Sequence, residues 1–462
     1  MGEAGESPAL SRNGNGCFSR SPITRPAAPR DPPSLIRGNE MLIDSIPPAT
    51  GGIFVAPWNE GLLSIFRGIS IMKVFATLCL FVGLLLGSVA FAQDAVNVTE
   101  GCVSSYDADV DYFPAKSEVE YAAGFSIDYF NNYKVISVTR PWVGADTPFT
   151  YALVQCGTPA PAVGTFDAVI EVPINRIVSM STTYLPSLVE LGVLETLVGV
   201  DEFDFVYSED VRARIDAGDL VEVGGGSLVN VEQVLDLEPD LVMTYGLGSP
   251  DYDAHPLLID AGITVALNGD FNETSPLGRA EWIKFVAAFY NREADANTFM
   301  ERVASEYTNL MDLAASIDAR PSVLVNAMFG DTWYVSGGQS YSAQLIADAG
   351  GAYVWADDMS SGGLPLSFEA VLDVAQSAEV WLNPNFWFTL ADGLAEDERY
   401  ADFAAFANGQ VFNNVARVTP LGGNDATELG ALRPDVLLAD LIAILHPDLL
   451  PEHDLFFYQQ LQ

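Results

Sequence analysis

The sequence predicts an α/β protein with two Rossmann-like lobes, each built on a mostly parallel central sheet. A single long α-helix joins the lobes, and a β extension precedes them. Three observations predict this fold class: strand and helix patterns alternate from residue 173 onward, one helix-strand unit occurs once in each half, and a long stretch without Gly or Pro separates the halves.

The composition is that of a folded protein with two or three domains. The chain has 462 residues, of which 49% are hydrophobic and 11% aromatic. Residues 1–71 differ from the rest, because they are rich in Pro, Arg, Ser and Gly and show no sustained period. We expect this segment to be disordered or absent from the mature protein, and the true start codon is left open.

A secretory signal peptide is predicted at residues 72–92. The stretch "MKVFATLCLFVGLLLGSVAFAQ" has a basic start at Lys73, an uncharged apolar run and a small-x-small ending, which predicts cleavage after Ala92. An uncleaved membrane anchor is the alternative, since the run approaches spanning length. No small residue precedes Cys79, so a lipoprotein anchor is not expected. The predicted location is periplasmic or extracellular.

Charge and cysteines restrict the partners further. The net charge of −41 excludes nucleic acid as a partner on electrostatic grounds. Cys17 and Cys79 precede the predicted cleavage site, which leaves Cys102 and Cys156 as an even pair in an oxidising compartment. We predict that these two cysteines form a disulfide.

The β extension is predicted over residues 93–172. The stretches "VEYAAGFSIDYFNNYKVISVTR", "FTYALVQC" and "AVIEVPI" alternate apolar and polar residues, as β-hairpins do. Asn131 and Asn132 are the expected turn.

The first lobe is predicted over residues 173–292. Strand "RIVSMS", helix "TTYLPSLVELGVLE" and strand "TLVGV" follow one another, which predicts a parallel sheet with right-handed crossovers. The same alternation of strand and helix continues through "PDLVMTYG", "HPLLIDAG" and "ITVAL".

The connecting helix is predicted over residues 293–317, after a break near Asn291 and Arg292. It would span about 37 Å at 1.5 Å per residue, which is long enough to pass from one lobe to the other. The second lobe, residues 318–462, repeats the alternation with "SVLVNAM", "SYSAQLIADAGG", "EVWLNP", "QVFNN" and "PDVLLADLIAILHP".

The unit that occurs in both halves is "LVNVEQVLDLEPDLVMTYG" and "LPLSFEAVLDVAQSAEVWLNPN". Asn230 and Ser367 are good N-cap residues, and the apolar residues after them recur on one face of a short helix. A short apolar run follows each helix and predicts a buried strand.

Taken in order, these segments resemble the clamshell solute-binding proteins of ABC importers, in the class that carries iron-siderophore, haem and cobalamin ligands. The resemblance covers residues 173–450. It implies two α/β lobes joined by one long helix, a ligand in the cleft between them, and no chemistry on that ligand. It also implies delivery to an ABC importer permease dimer by a protein that we expect to be a monomer.

The resemblance implies a docking role for Glu232 and Glu369, one at each repeated helix start. In the family, one glutamate from each lobe meets an arginine pocket on the permease dimer, a charge-assisted contact. The alternative is that an acid in the first turn only complements the helix dipole.

Ligand contacts are expected in the loops that follow the strands, because open α/β sheets bind ligands beyond the carboxyl ends of their strands. Those loops are rich in aromatic rings, which can stack on a flat metal chelate, although some of the rings should fill the core instead. The threonines can hydrogen-bond a polar group or simply cap a helix. The predicted ligand-binding residues are Thr182, Thr183, Tyr184, Phe205, Tyr245, Trp333, Tyr334 and Trp387.

The identity of the ligand stays open among an iron-siderophore-like complex, cobalamin and haem. Arg140, Arg279 and Arg417 are the only arginines expected near the cleft, which favours a neutral or cationic complex. No histidine cluster predicts direct metal binding, and no cofactor is expected.

Two other functional classes are alternatives to a transport protein. The sequence has no GxSxG, HExxH, P-loop or CxxC motif, so an enzyme is not predicted. A non-transport extracellular binding or adhesion protein remains the alternative, because of the acidic composition and the β extension.

Overall fold

The computed structural model describes residues 97–162 and 164–462. The predicted disordered segment and signal peptide lie outside the described residues. In the part of the chain that is described, no helix is long and apolar enough to cross a membrane.

The β extension forms a four-stranded sheet of β1 (Phe125–Tyr129), β2 (Tyr133–Val138), β3 (Phe149–Gln155) and β4 (Ala168–Val172), in that order. The predicted turn at Asn131 and Asn132 is confirmed, since Phe130 N–H donates to Tyr133 O over 2.9 Å. The hairpin pattern holds for β1 to β3. Strand β4 pairs parallel to β3 instead, because the chain returns to the start of β3 before β4 begins. Cys102 and Cys156 form a disulfide, as predicted.

The first lobe has a five-stranded parallel sheet with the order β7-β6-β5-β8-β9. Its strands are β5 (Ile177–Ser179), β6 (Leu197–Val200), β7 (Val221–Glu222), β8 (Leu241–Thr244) and β9 (Val265–Leu267). Its helices are α1 (Leu185–Glu190), α2 (Glu209–Ala217), α3 (Val231–Asp236) and α4 (His255–Asp260). Turns of 3-10 helix lie at Thr182–Tyr184, Leu194–Thr196, Phe203–Phe205, Gly226–Leu228 and Asp270–Asn272.

Three helices lead from the first lobe to the second: α5 (Pro276–Ala280), α6 (Trp282–Ala288) and the long α7 (Glu293–Ala315). The expected break is present, because Asn291 has a φ of 58° and cannot continue a right-handed helix. The long α7 begins two residues later.

The second lobe contains β10 (Ser322–Val325), β11 (Met328–Phe329), β12 (Thr332–Ser336), β13 (Ala352–Tyr353), β14 (Gly363–Leu366), β15 (Val380–Leu382), β16 (Val411–Asn413) and β17 (Gln459–Gln460). Its helices are α8 (Tyr341–Asp348), α9 (Phe368–Ala375), α10 (Leu390–Glu396), α11 (Ala404–Ala407), α12 (Asp425–Leu432) and α13 (Pro434–Leu445). A 3-10 helix lies at Glu398–Asp402.

The main sheet of the second lobe has the order β13-β10-β15-β16-β17, parallel except for β17. A second, antiparallel sheet, β11-β12-β14, was not predicted. The stretch "SVLVNAM" reads as one strand, but Asn326 has a φ of 61° and divides it into β10 and β11. The predicted fold class is confirmed.

The β extension shares the hydrophobic core of the first lobe. Phe125, Ile136 and Tyr151 pack in the same buried cluster as Phe285 and Phe289 of the lobe. Backbone N–H groups of residues 120–122 also donate to the Glu281 carboxylate, over 2.7 to 3.1 Å. The extension is therefore held on the first lobe by both apolar packing and hydrogen bonds.

Candidate functional site

The carboxyl ends of strands from both main sheets border two adjoining cavities. The larger cavity, about 180 Å³, lies at the ends of β10, β15 and β16, and we call it the inner cavity. The smaller one, about 10 Å³, lies at the ends of β5 and β9. Arg279 and Ala431 line both cavities, so the two are neighbours between the lobes.

Arg279 supplies the positive charge of this region. It lies on α5, which begins at the N-cap Ser275, and its side chain is 20% exposed. Its Nε is 3.9 Å from Asp270 Oδ2, and its guanidinium carbon lies 5.3 Å from the centre of the Tyr341 ring. Among the described residues no acceptor bonds the buried Nε. Burial raises the pKa of Asp270, and the Arg279 charge opposes that shift.

Tyr341 directs a second donor into the inner cavity. It is the first residue of α8, after the N-cap Ser340, whose side chain accepts from Ala343 N–H. Its Oη is buried and has no hydrogen-bond partner in the described part of the chain. Burial raises the pKa of Tyr341 to about 12, so the hydroxyl keeps its proton at neutral pH.

Asn383 supplies an acceptor. It directly follows β15 with a φ of 56°, a conformation that Asn tolerates better than most residues. Its Oδ1 is buried and is not bonded by any described residue. Apolar side chains form much of the remaining wall, namely Val325, Leu345, Ile346, Leu382, Leu437 and Leu441.

The residues that line the inner cavity therefore include two unbonded donors, on Arg279 and Tyr341, and one unbonded acceptor, on Asn383. Ser342, Asn414, Thr427 and Tyr458 are its other polar lining residues. Buried polar atoms are normally bonded, so three unbonded ones on residues that line one cavity point to a ligand that completes them. Within residues 97–162 and 164–462, no group of three His, Cys, Asp or Glu side chains could hold a metal ion. The cavity suits a polar organic group better than a bare metal ion.

A buried carboxylate joins the two lobes beside these cavities. Glu428 of α12 is 1% exposed and accepts the backbone N–H groups of Tyr207, over 2.8 Å, and Ser208, over 2.9 Å. Burial raises the pKa of Glu428 to about 7, although both N–H groups oppose that shift. Burial likewise raises the pKa of Asp201, which follows β6, to about 6.

Two of the predicted ligand residues line the smaller cavity. Thr183 and Tyr184 border it together with Asp270 and Arg279. Tyr184 Oη already donates to Asn268 O over 3.0 Å, so that hydroxyl is partly used by the protein. Ser181 caps the turn that begins at Thr182, so capping does not fall to either threonine.

Three other predicted residues lie away from the inner cavity but keep exposed surface. Tyr245 is half-buried and meets Phe271 edge to face, with ring centres 6.3 Å apart. Phe205 is 48% exposed, and its carbonyl lies close to Gly423 of the second lobe. Tyr334 is 49% exposed on β12.

The structure does not bring Trp333 and Trp387 to the cleft. Both indoles are buried in an aromatic cluster with Trp381, Tyr400 and Phe403, and their exposures are 0% and 1%. Large rings that fill the space between a sheet and its covering helices leave no face for a ligand. These two rings therefore fill the core, which is the alternative expected from the sequence for some of the aromatic residues.

Comparison with known proteins identifies the family. The family model described as periplasmic binding protein matches residues 177–417, which is more than half of the chain. The chain belongs to the periplasmic binding protein family. The resemblance to solute-binding proteins that the sequence indicates is thus confirmed at the level of the family.

Curated relatives of this periplasmic binding protein include lipoproteins. An uncharacterized lipoprotein of Methanocaldococcus jannaschii is 28% identical over 294 residues, covering 61% of this chain and 67% of that one. An uncharacterized ABC transporter substrate-binding lipoprotein of Bacillus subtilis is 27% identical over 183 residues, covering 39% of this chain and 55% of that one. Among solved structures, a periplasmic haem-binding protein of Pseudomonas aeruginosa has a TM-score of 0.46 and 20% identity, covering 59% of this chain and 93% of that one.

The two glutamates predicted to dock this periplasmic binding protein lie at matching helix starts. Glu232 is exposed in the first turn of α3, and Glu369 is exposed in the first turn of α9. The predicted N-caps are confirmed, because Asn230 accepts from Gln233 N–H over 3.2 Å and Ser367 accepts from Ala370 N–H over 3.2 Å. The docking role itself stays a prediction.

Sequence reasoning missed most of the inner cavity. Asn383 directly follows a predicted strand, so the rule that ligands bind beyond strand ends could have found it. Tyr341 begins a helix and Tyr458 precedes the last strand, and neither position carries a local signal. Arg279 was one of the three arginines expected near the cleft.

Proposed function

We propose that this chain is the exported substrate-binding protein of an ABC importer, and that it captures a metal chelate between its lobes. It delivers that ligand to a permease dimer and performs no chemistry on it. The Bacillus subtilis relative, which is named as an ABC transporter substrate-binding lipoprotein, supports the assignment to an ABC transporter.

The observation that carries this proposal is the position and chemistry of the inner cavity. Residues at the carboxyl ends of β10, β15 and β16 meet Arg279 of the first lobe there, where open α/β sheets usually bind ligands. Three residues that line it each carry a buried polar atom without a partner among the described residues. A solute bound between the lobes would satisfy these atoms and hold the lobes together.

A metal chelate is the proposed ligand class because of the rings that follow the strands. Phe205, Tyr245 and Phe271 keep exposed surface in the first lobe, and Phe386 is 79% exposed after β15. The inner cavity, about 180 Å³, is smaller than the roughly 300–1,000 Å³ of typical ligand pockets. A chelate would therefore place one arm in the inner cavity and rest its larger body on these rings.

Export is supported by the predicted signal peptide and by the disulfide between Cys102 and Cys156, since disulfides persist in oxidising compartments. Several relatives are named as lipoproteins, so the mode of membrane attachment is part of the proposal to be tested. Mass spectrometry of the secreted protein would give its mature N-terminus. A start at Gln93 supports cleavage after Ala92, and a lipid-modified cysteine contradicts it.

A thermal-shift panel tests the ligand class. The purified protein is heated with cobalamin, haem and several ferric siderophores, each beside its metal-free chelator as the matched control. A ligand that binds only the folded state stabilises it by about 2.7 kcal/mol at a hundredfold excess over Kd. We expect one metal-loaded chelate to raise the melting temperature. If none of them raises it, the metal-chelate assignment is wrong.

A further inference from the structure

We propose that the inner cavity binds a hydroxycarboxylate group: Arg279 and Tyr341 donate to the carboxylate, and Asn383 Oδ1 accepts from the neighbouring hydroxyl. This inference rests on the proposed function, because it treats the inner cavity as the deepest part of the ligand site. It names the chemical group of the ligand that enters first.

The donors define the anionic part of that group. Arg279 lies 3.9 Å from Asp270, too far for a hydrogen bond, and its buried Nε is not bonded by any described residue. A planar guanidinium binds a carboxylate through two parallel hydrogen bonds better than it binds a single oxygen. The Tyr341 hydroxyl, also unbonded in the described chain, lies on the same cavity and is a further donor.

The acceptor defines the second part. Asn383 Oδ1 is a buried amide oxygen that no described residue bonds, and it lines the same cavity as Arg279 and Tyr341. A carboxylate alone brings no donor to this oxygen, and a buried acceptor without a donor disfavours binding. A hydroxyl next to the carboxylate supplies the missing proton.

Size and charge agree with such a group. A cavity of about 180 Å³ with apolar side chains on much of its wall holds a fragment of a few heavy atoms, not a macrocycle. Arg279 is the only charged residue among those that line it. Asp270, which lines the smaller cavity, already lies 3.9 Å from Arg279 Nε, so the inner cavity takes at most one further anionic group.

Three small molecules of the same shape test the assignment on the purified full-length chain. Lactate carries the carboxylate and the hydroxyl, propionate lacks the hydroxyl, and lactamide lacks the charge. Titration followed by ligand-observed NMR should show lactate binding about tenfold more tightly than either of the others, because each comparison removes one partner of a buried polar group.

Two variants assign the contacts. Asn383→Gly retains a residue that tolerates positive φ and removes the acceptor, so the preference for lactate over propionate should disappear. Arg279→Lys keeps the charge but loses the planar guanidinium group, and should weaken the binding of lactate and propionate alike. Arg302→Lys is the matched control, because Arg302 pairs with Glu190 on the surface, and it should change neither affinity.

The results separate this inference from the proposed function. Equal binding of lactate and propionate, tighter binding of lactamide, or no binding of lactate overturns the hydroxycarboxylate assignment. A chelate that shifts the melting temperature while lactate does not bind would leave the transport proposal standing alone. Lactate binding in the expected order, with no chelate active, would keep the inner site and remove the metal-chelate ligand.

Discussion

Lys134 and Glu293 form an ion pair that is fully removed from solvent, with Nζ 2.5 Å from Oε1 and both side chains at 0% exposure. Lys134 lies on β2 of the extension, and Glu293 is the first residue of the connecting helix α7. The ammonium also donates to Ala288 O and Asn291 Oδ1, over 2.6 and 2.9 Å. The pair therefore fastens the β extension to the start of the helix that leads to the second lobe.

Replacing Lys134 with Met should destabilise the protein by about 3–5 kcal/mol, because it leaves Glu293 charged, buried and without its cation. Burial lowers the pKa of Lys134, while Glu293 opposes that shift, so the charged form depends on its partner. The free energy of unfolding from urea denaturation measures the loss.

Lys116→Met is the matched control for this change. Lys116 pairs with Asp111 over 2.6 Å, but the two side chains are 44% and 40% exposed. A surface pair of this kind contributes about 0–1 kcal/mol. Equal losses in the two variants would contradict a special role for the buried pair.

Much of the fold could be predicted because its signals are local. Asn230 and Ser367 begin the repeated helices as their side chains suggest, and the strand at Val380–Leu382 coincides with an apolar run. Tyr245 directly follows β8 and keeps exposed surface, whereas Trp333 lies within β12 and Trp387 follows β15, and both indoles face the core. Which face a loop ring presents is decided by packing between distant segments, and sequence spacing does not carry that information.

Replacing Tyr341 with Phe should lower ligand affinity without lowering stability. The removed hydroxyl is buried and unbonded in the described structure, so its loss removes a polar group that costs stability in the free protein. Calorimetric titration with the chelate identified in the thermal-shift panel should show about tenfold weaker binding. The melting temperature of the free protein should stay equal or rise.

Tyr184→Phe makes the opposite change and serves as the comparison. Tyr184 Oη donates to Asn268 O over 3.0 Å in a buried setting, so its removal leaves that carbonyl without its donor. We expect a loss of about 1–3 kcal/mol in unfolding free energy. A free protein destabilised to the same extent by Tyr341→Phe would show that its hydroxyl has a structural partner.

Glu428 should make the protein less stable as the pH rises toward 7. Its pKa moves from an ordinary value of 4.5 to about 7 on folding, so the folded state binds the proton more tightly. This contribution is fully present below pH 4.5 and is lost as the pH passes through 7. At about 1.4 kcal/mol per pH unit, it amounts to about 3 kcal/mol.

The difference in unfolding free energy between the wild type and Glu428→Gln isolates this effect. Asp201 and Asp425, whose charges raise the pKa of Glu428, titrate in both proteins, and Arg417, which pairs with Asp425, is present in both. Relative to the variant, the wild type should lose stability between pH 4.5 and pH 8. Parallel stability curves would show that Glu428 does not titrate in this range.

Replacing both Glu232 and Glu369 with Ala should abolish uptake while leaving ligand affinity unchanged. Both carboxylates are exposed at helix starts, outside the residues that line the two cavities. Arg399 Nη1 lies 2.9 Å from Glu369 Oε1, and the Glu369 side chain is still 71% exposed, so a permease arginine can reach it. Uptake by cells that carry the importer, with calorimetric titration of each variant, separates docking from binding.

The matched control replaces Asp210 and Asp295, two exposed acids in the first turns of α2 and α7, because their removal costs the same helix-dipole interaction. Full uptake by the Glu232 and Glu369 double variant, or an equal loss in the control, would leave these glutamates with the helix-dipole role alone.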